Sequence, residues 1–279
     1  MSAPITARAD PRVTFRRLRV ALPQPWSRML GQAAYAPALL RSPGTRRAFR
    51  EEAAIERLVA HPELPLTGQG AGLSERVVEV PWVLRRLPRP LGRLLDVGTA
   101  FAPIAYQRQL VRLAADERHG VDLAPFALDG VVSHAADVRA LPFEDASFDR
   151  VVCISTLEHI GLDTERYVGP DGRPRDESGD LTALRELGRV AAPDGRVLVT
   201  VPGGAAGTFD WFRQYSVEAW TRLVAGAGLE IEALDTFEQD LRDGWRRCDA
   251  EALARRSYDV DAVGAGGLIC CELRARGSS

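Results

Sequence analysis

The sequence predicts an α/β protein: a doubly wound, mostly parallel sheet with helices on both faces. From Leu91 onward, short apolar runs alternate with amphipathic stretches of helical length, the pattern that a parallel sheet with crossover helices requires. Hydrophobic residues make up 46% of the 279-residue chain, enough to fill one large core. The first apolar run, "RLLDVGTAFAP", passes straight into a glycine turn and then a proline suited to a first helical turn, as a ligand loop does at the centre of such sheets.

Taken in order, residues 1–90 are expected to be a helical extension and linker. They hold one helical pattern, "RRAFREEAAIERLVA", in which Phe49, Ile55, Leu58 and Val59 recur at roughly helical spacing. A Gly- and Pro-punctuated linker, "HPELPLTGQGAG", follows, and then a short helix within "LSERVVEVPWVLRRLPRP". Residues 91–279 are expected to form the main domain. Its strands read as "RLLDV", "HGVDL", "VVSHAADV", "DRVVCIS", "GRVLVTVP", "LEIEALDTF" and "GLICCELRA", and its helices as "PIAYQRQLVRLAA", "LTALRELGRVA" and "SVEAWTRLVAGAG". Asp180 and Ser216 are candidate helix N-caps, and Gly195 and Gly228 sit just past apparent helix ends. No helical pattern of comparable quality joins the last two strands, so the final strand is expected to run antiparallel at or near the sheet edge.

Composition narrows the function classes. No apolar run approaches the roughly 18 residues of a membrane span, and the N-terminus lacks the apolar core of a secretion signal, so a cytoplasmic protein with no membrane role is expected. Cys153, Cys248, Cys270 and Cys271 fall at no metal-ligand spacing, which suits reduced thiols and gives no metal site. Residues 1–50 hold ten Arg and one acidic residue, making a basic arm of about +9 on a body of about −11. The chain contains neither Lys nor Asn, so the arm reflects coding bias as readily as a phosphate-bearing partner, and no aromatic-interleaved basic motif supports nucleic acid.

The strand ends carry the chemistry. Asp96 and Gly98, with Thr99 beside them, end the first strand. Ala100 stands where a dinucleotide fingerprint wants glycine, which argues against a pyrophosphate passing the loop. Asp122 ends the second strand, where a carboxylate accepts hydrogen bonds from ribose hydroxyls. Asp137 follows the third, placed for an adenine amino group, with Val138 and Leu141 as apolar neighbours of the ring. Ser155, Thr156, Glu158 and His159 follow the fourth.

With these motifs in order, residues 91–279 resemble a class I S-adenosylmethionine-dependent methyltransferase. The resemblance rests on "LLDVGTAFAP", "VDL", "ADVRALPFEDASFDRVVCISTLEHIG" and "ALRELGRVAAPDGRVLVTVP". It implies a Rossmann-like sheet of seven strands with the last antiparallel, and S-adenosyl-L-methionine as cofactor. It assigns Asp96 and Gly98 to the methionine end, Asp122 to the ribose and Asp137 to the adenine. Ala100 departs from the family pattern and bears on the shape of the loop.

On the acceptor side, His159 is placed to act as a near-neutral base toward a hydroxyl, with Glu158 orienting it, or else to line the cofactor. The insertion over residues 162–180 suits a lid or collar, or a plain surface loop, and its Asp163, Glu165, Asp176 and Glu177 show no compelling ligand spacing. Trp211 and Tyr215 are candidates for stacking on a sugar or aromatic ring and Arg213 for meeting a phosphate or carboxylate, although the aromatics could equally seal a helix. The set "ERVVEVPWVLRRL", "LEHIGL" and "FRQYS" is similar to bacterial methyltransferases of saccharide and secondary-metabolite pathways. The expected activity is therefore methyl transfer to a small molecule, foremost a sugar or metabolite hydroxyl. A nucleic-acid or protein methyltransferase using the basic arm, and a non-catalytic partner subunit that keeps the fold, are the alternatives.

Overall fold

The alternation that begins at Leu91 becomes an eight-stranded sheet in a computed structural model that describes residues 43–162, 175–257 and 264–275. In chain order the elements are α1 (Pro43–Ala60), α2 (Arg76–Leu84), β1 (Leu91–Val97), α3 (Ile104–Arg112), β2 (Ala115–Asp122), β3 (Val132–Ala135), β4 (Phe148–Ile154) and α4 (Gly179–Val190). They continue with β5 (Ala191–Pro202), β6 (Gly207–Thr208), β7 (Arg213–Gln214), α5 (Val217–Gly226), β8 (Leu229–Asp240), β9 (Gly244–Arg247), α6 (Ala250–Ala254) and β10 (Gly267–Ala275). Short 3-10 turns follow β1 at Thr99–Phe101 and β4 at Leu157–His159. The basic arm up to residue 42 lies outside the described residues.

The sheet order is β3-β2-β1-β4-β5-β10-β8-β9, a Rossmann-like arrangement in which β3, β2, β1, β4 and β5 run parallel. The chain starts at β1, moves outward to β2 and β3, then returns to the other side of β1 as β4. That reversal opens a crevice at the carboxyl ends of β1 and β4. The last strand is antiparallel as expected, but it is not an edge strand: β10 pairs with β5 on one side and β8 on the other. Its unbroken apolar run explains the position, because a strand covered on both faces needs no polar alternation. Cys271 faces one core and the adjacent Cys270 the other. The edge is the unanticipated β9, which makes eight strands instead of seven and carries the exposed Arg246 and Arg247, charges that discourage further strand pairing.

Residues Arg47–Ser279 make one compact unit, with a core on each face of the sheet. One core joins α4 and α5 through Leu184, Leu187, Trp220 and Val224 to Val97, Val151 and Val199 of the sheet. The other joins Ile55 of α1, Val80 and Trp82 of α2, and Leu110 of α3 to Leu94, Val152 and Leu198. The run "VVEVPWVL" is buried throughout, and the segment read as a linker is tied to the edge strand, where Trp245 N donates to Gln69 O at 2.8 Å. Ser216 does cap α5, its Oγ accepting from Ala219 N at 3.2 Å, and Gly228 leaves that helix at φ 78°. Asp180 is not a cap: it lies in the first turn of α4, whose N-cap is Ser178. Gly195 likewise falls inside β5, because α4 ends at Val190 and the strand begins at once. Among the described residues no helix is long and apolar enough to cross a membrane.

Candidate cofactor and acceptor site

The loop after β1 needs only one glycine. Gly98 adopts φ 88°, ψ 25°, a left-handed conformation that side chains disfavour, whereas the next residues coil into the 3-10 turn. No other residue of this loop has a positive φ, so Ala100 fits where its backbone sits. Space is also short at Gly98, since a Cβ there would lie 2.0 Å from Thr156 Oγ1. The β1 loop and the β4 loop therefore meet through the Thr156 side chain, which packs directly on the Gly98 backbone.

Asp96 and Thr99 brace this loop from inside. Asp96 Oδ1 accepts from the Tyr106 hydroxyl at 2.5 Å and Oδ2 from the Thr99 hydroxyl at 2.7 Å. Asp96 is 2% exposed, and burial lifts its carboxyl to about 7, against the lowering pull of the two hydroxyls and with the Asp122 charge adding to the rise. The following helix is capped by α1, because Ile104 N and Ala105 N donate to Glu52 Oε1 and Oε2 at 3.0 and 2.5 Å. A carboxylate there complements the helix dipole.

Asp122 sits at the carboxyl end of β2, half-buried, with Oδ2 accepting from Ala100 N and Oδ1 from Ala124 N, each at 3.1 Å. Burial raises its carboxyl above the ordinary range, outweighing the backbone donors of Ala124, Ala100 and Leu123. A carboxylate has about four acceptor positions, so the backbone bonds orient Asp122 and leave capacity for a pair of ribose hydroxyls. Ala136 N donates to Asp122 O at 3.0 Å, which sets the β3 end beside it. There Asp137 is gripped by Arg139, whose Nη2 lies 2.7 Å from Oδ2, while Arg139 Nη1 reaches Asp176 at 3.3 Å. Val138 and Leu141 are buried in the core on the α4 side.

The β4 end supplies the opposite wall. Ser155 is a non-glycine residue at φ 38°, its N donating to Thr200 O at 3.0 Å and its Oγ to Glu79 Oε2 at 2.7 Å. Its hydroxyl therefore points to α2, away from the position expected for a cofactor contact. Glu158 is 2% exposed, and burial drives its carboxyl well above the usual range, opposed by its own backbone N–H and by Arg76. His159 stacks on Trp211, ring centroids 5.1 Å apart and planes 6° from parallel. Its Nδ1 lies 2.7 Å from the Trp211 carbonyl, which can only accept, so the ring proton is on Nδ1 and Nε2, 3.6 Å from Glu158 Oε1, carries none in the neutral ring.

Two residues expected at the acceptor take a different place. Arg213, 6% exposed, donates to the carbonyls of Ile160 and Glu177 at 2.6 and 3.0 Å and lies 3.5 Å from Asp180. Tyr215, 5% exposed, donates to Asp180 Oδ2 at 2.9 Å. Both brace the loop from inside the fold, because Asp180, buried in the first turn of α4, needs donors. Trp211 stays half-buried at the loop surface, beside Phe209, which stacks on Phe212 and is 42% exposed. Asp163 and Glu165 lie outside the described residues, and Asp176 is bonded to Ser178 and Arg139. Among the described residues no three His, Cys, Asp or Glu side chains gather to hold a metal ion.

Two acids of the extension escaped the sequence reading. Glu79, 0% exposed, bonds Ser155 and Thr200 across the ends of β4 and β5, and its one signal is an acid alone in an apolar run. Glu52 has none, being one of several acids on an amphipathic helix.

Adjoining strand ends therefore bring together a one-glycine loop with no room for a side chain at Gly98, the Asp122 carboxylate bonded to that loop through Ala100 N, and the β4 turn against Gly98 through Thr156. Residues 95–199 match the family described as a methyltransferase domain. A malonyl-[acyl-carrier protein] O-methyltransferase of Halorhodospira halophila is 34% identical over 142 residues, 47% of this chain and 41% of that protein, so the chain spans less than half the length of that relative. Among solved structures, the [4+2]-cyclase SpnF aligns over 83% of this chain and 95% of its own, with 17% identity and a TM-score of 0.49. The 1,6-didemethyltoxoflavin-N1-methyltransferase of Burkholderia thailandensis aligns over 99% and 93%, with 15% identity and a TM-score of 0.43. Over residues 95–199 the chain thus resembles a methyltransferase domain, and the cofactor that such a domain uses is S-adenosylmethionine.

Proposed function

We propose that this protein transfers a methyl group from S-adenosylmethionine to a hydroxyl of a small molecule, a sugar or secondary metabolite. The observation that carries the reading is the place of His159: its ring is held at Nδ1 by the Trp211 carbonyl, 2.7 Å away, just past the carboxyl end of β4 where a base toward an acceptor hydroxyl is needed. The cofactor supplies an electrophilic methyl on a sulfonium, and the protein has to align the acceptor oxygen and take its proton. Asp122 holds the ribose and the loop at Gly98 admits the methionine end. Asp96 and Thr99 keep that loop in shape. Asp137, fixed by Arg139, borders the adenine position with Val138. Ser155 sets the turn that carries His159.

Trp211 and Phe209 give the acceptor side an aromatic surface suited to the apolar face of a sugar ring. Arg213 and Tyr215 support this surface from beneath. The relative from Halorhodospira halophila is by name an O-methyltransferase, in keeping with oxygen as the acceptor atom. The test is a screen of hydroxylated acceptors, including nucleotide sugars and glycosylated metabolites, read by mass spectrometry for a gain of one methyl group. Methylation confined to amines, nucleic acid or protein would overturn the reading.

A further inference from the structure

The most unusual polar group outside the cofactor loop is Glu79, a carboxylate with no solvent exposure on an otherwise apolar helix. Burying a charge is costly unless it is paired, and Glu79 has hydrogen bonds at Oε2 and an ion pair at Oε1. Oε2 accepts from Ser155 Oγ at 2.7 Å and Thr200 Oγ1 at 2.8 Å, and Oε1 lies 2.8 Å from Arg76 Nη1. Ser155 directly follows Ile154, the register partner of Thr200 in β5, and Ser155 N donates to Thr200 O at 3.0 Å. One side chain of α2 thus fastens the ends of β4 and β5 together.

What it fastens is a residue in an uncommon conformation. Ser155 holds φ 38°, which a residue with a Cβ keeps only when its surroundings insist. That residue starts the turn that places Thr156 against Gly98 and leads, through the bond from His159 N to Thr156 O at 3.0 Å, to His159. A change of φ at Ser155 would swing both the cofactor wall and the imidazole.

We propose that Glu79 is a positioning residue for the acceptor-side turn: through Ser155 and Thr200 it sets residues 155–159, so that α2, outside the matched methyltransferase segment, is part of the functional site. The proposal rests on the methyl-transfer reading only for what His159 does once placed. Arg76 is the counter-charge that makes the buried acid tolerable, and Glu158 and Glu75 share its field.

The test is backbone amide NMR of the full chain, with S-adenosylhomocysteine as the binding probe. E79Q keeps the shape of the side chain but loses its charge and one acceptor. It should shift the amide signals of residues 155–159 and the Trp211 indole while leaving those of β2 and β3 in place. S155G accepts a positive φ and removes the hydroxyl without touching the core, so it should move the same signals. The double variant should move them no further than the larger single effect, as expected of two ends of one bond. If E79Q or S155G lowers the thermal midpoint and leaves the signals of 155–159 unmoved, or if their effects simply add, Glu79 is a packing group and the proposal fails. Should the wild type bind no S-adenosylhomocysteine, the methyl-donor reading fails instead, and the amide shifts still decide the role of Glu79.

Discussion

Gly98→Ala puts the loop geometry to a quantitative test. The backbone at this position is left-handed at φ 88°, which costs an L-residue roughly 1–2 kcal/mol. The new Cβ would also stand 2.0 Å from Thr156 Oγ1 and 3.1 Å from Thr156 Cβ, far inside contact distance. Thr156 cannot swing away cheaply, because its hydroxyl donates to Ile154 O at 2.9 Å. Overpacking of this kind costs about 1–3 kcal/mol, giving a total of about 2–5 kcal/mol. Urea denaturation followed by circular dichroism measures it, and Thr156→Ala separates the two parts. Removing the Thr156 hydroxyl and methyl relieves the severe 2.0 Å overlap and leaves the backbone penalty with a tight Cβ contact, so Gly98→Ala should cost about 1–2 kcal/mol in the Thr156→Ala background. An equal cost in both backgrounds, or a cost below about 0.5 kcal/mol in the wild type, would refute the close approach of the two loops.

Other substitutions probe the remaining parts. Burial holds the Asp96 carboxyl at about 7 in the folded protein against 3.8 otherwise, so its contribution to stability is complete below pH 3.8 and is lost as pH rises through 7. Between pH 5 and pH 8 the wild type should therefore lose about 3 kcal/mol relative to Asp96→Asn, read from paired urea titrations, and parallel pH profiles would contradict this. His159→Gln should cut methyl transfer by about 10²–10⁴-fold with S-adenosylhomocysteine binding retained, and undiminished turnover would remove the base role. Arg213→Ala should cost about 3–5 kcal/mol of stability, because it strips the counter-charge from buried Asp180; a stable variant with only a raised acceptor KM would restore Arg213 to the acceptor side. Ser216→Ala should cost about 1 kcal/mol through loss of the α5 cap, and thermal denaturation would show whether it does.

Much of the fold was legible because its signals are local. The runs around Leu94, Val151 and Val199 are apolar and bounded by turns, and the strand-end acids follow directly from the order of those runs. What was not legible is non-local. Nothing in "GLICCELRA" says which strands flank it, and its lack of polar alternation points to the sheet interior only once an edge strand has been found elsewhere. That edge, "GWRR", is four residues long and half charged, and it becomes a strand through pairing with β8. Asp122 could be placed at a strand end from sequence because it closes a short apolar run. Arg213 and Tyr215 could not, because their positions depend on Asp180, a residue that looked like a helix cap and became a buried partner. Glu79 shows the same thing from the other side: its partners lie 76 and 121 residues away in the chain.

The central claim, that the crevice at the ends of β1, β2 and β4 holds S-adenosylmethionine through its ribose acid, is tested most directly by calorimetric titration of the wild type and of Asp122→Ala with S-adenosylhomocysteine. Binding to the wild type should be in the micromolar range. The loss of hydrogen bonds to a charged carboxylate should weaken it by about 10- to 100-fold or more in the variant, with the fold intact by circular dichroism. Absence of binding to the wild type, or equal affinity in the two proteins, would contradict it.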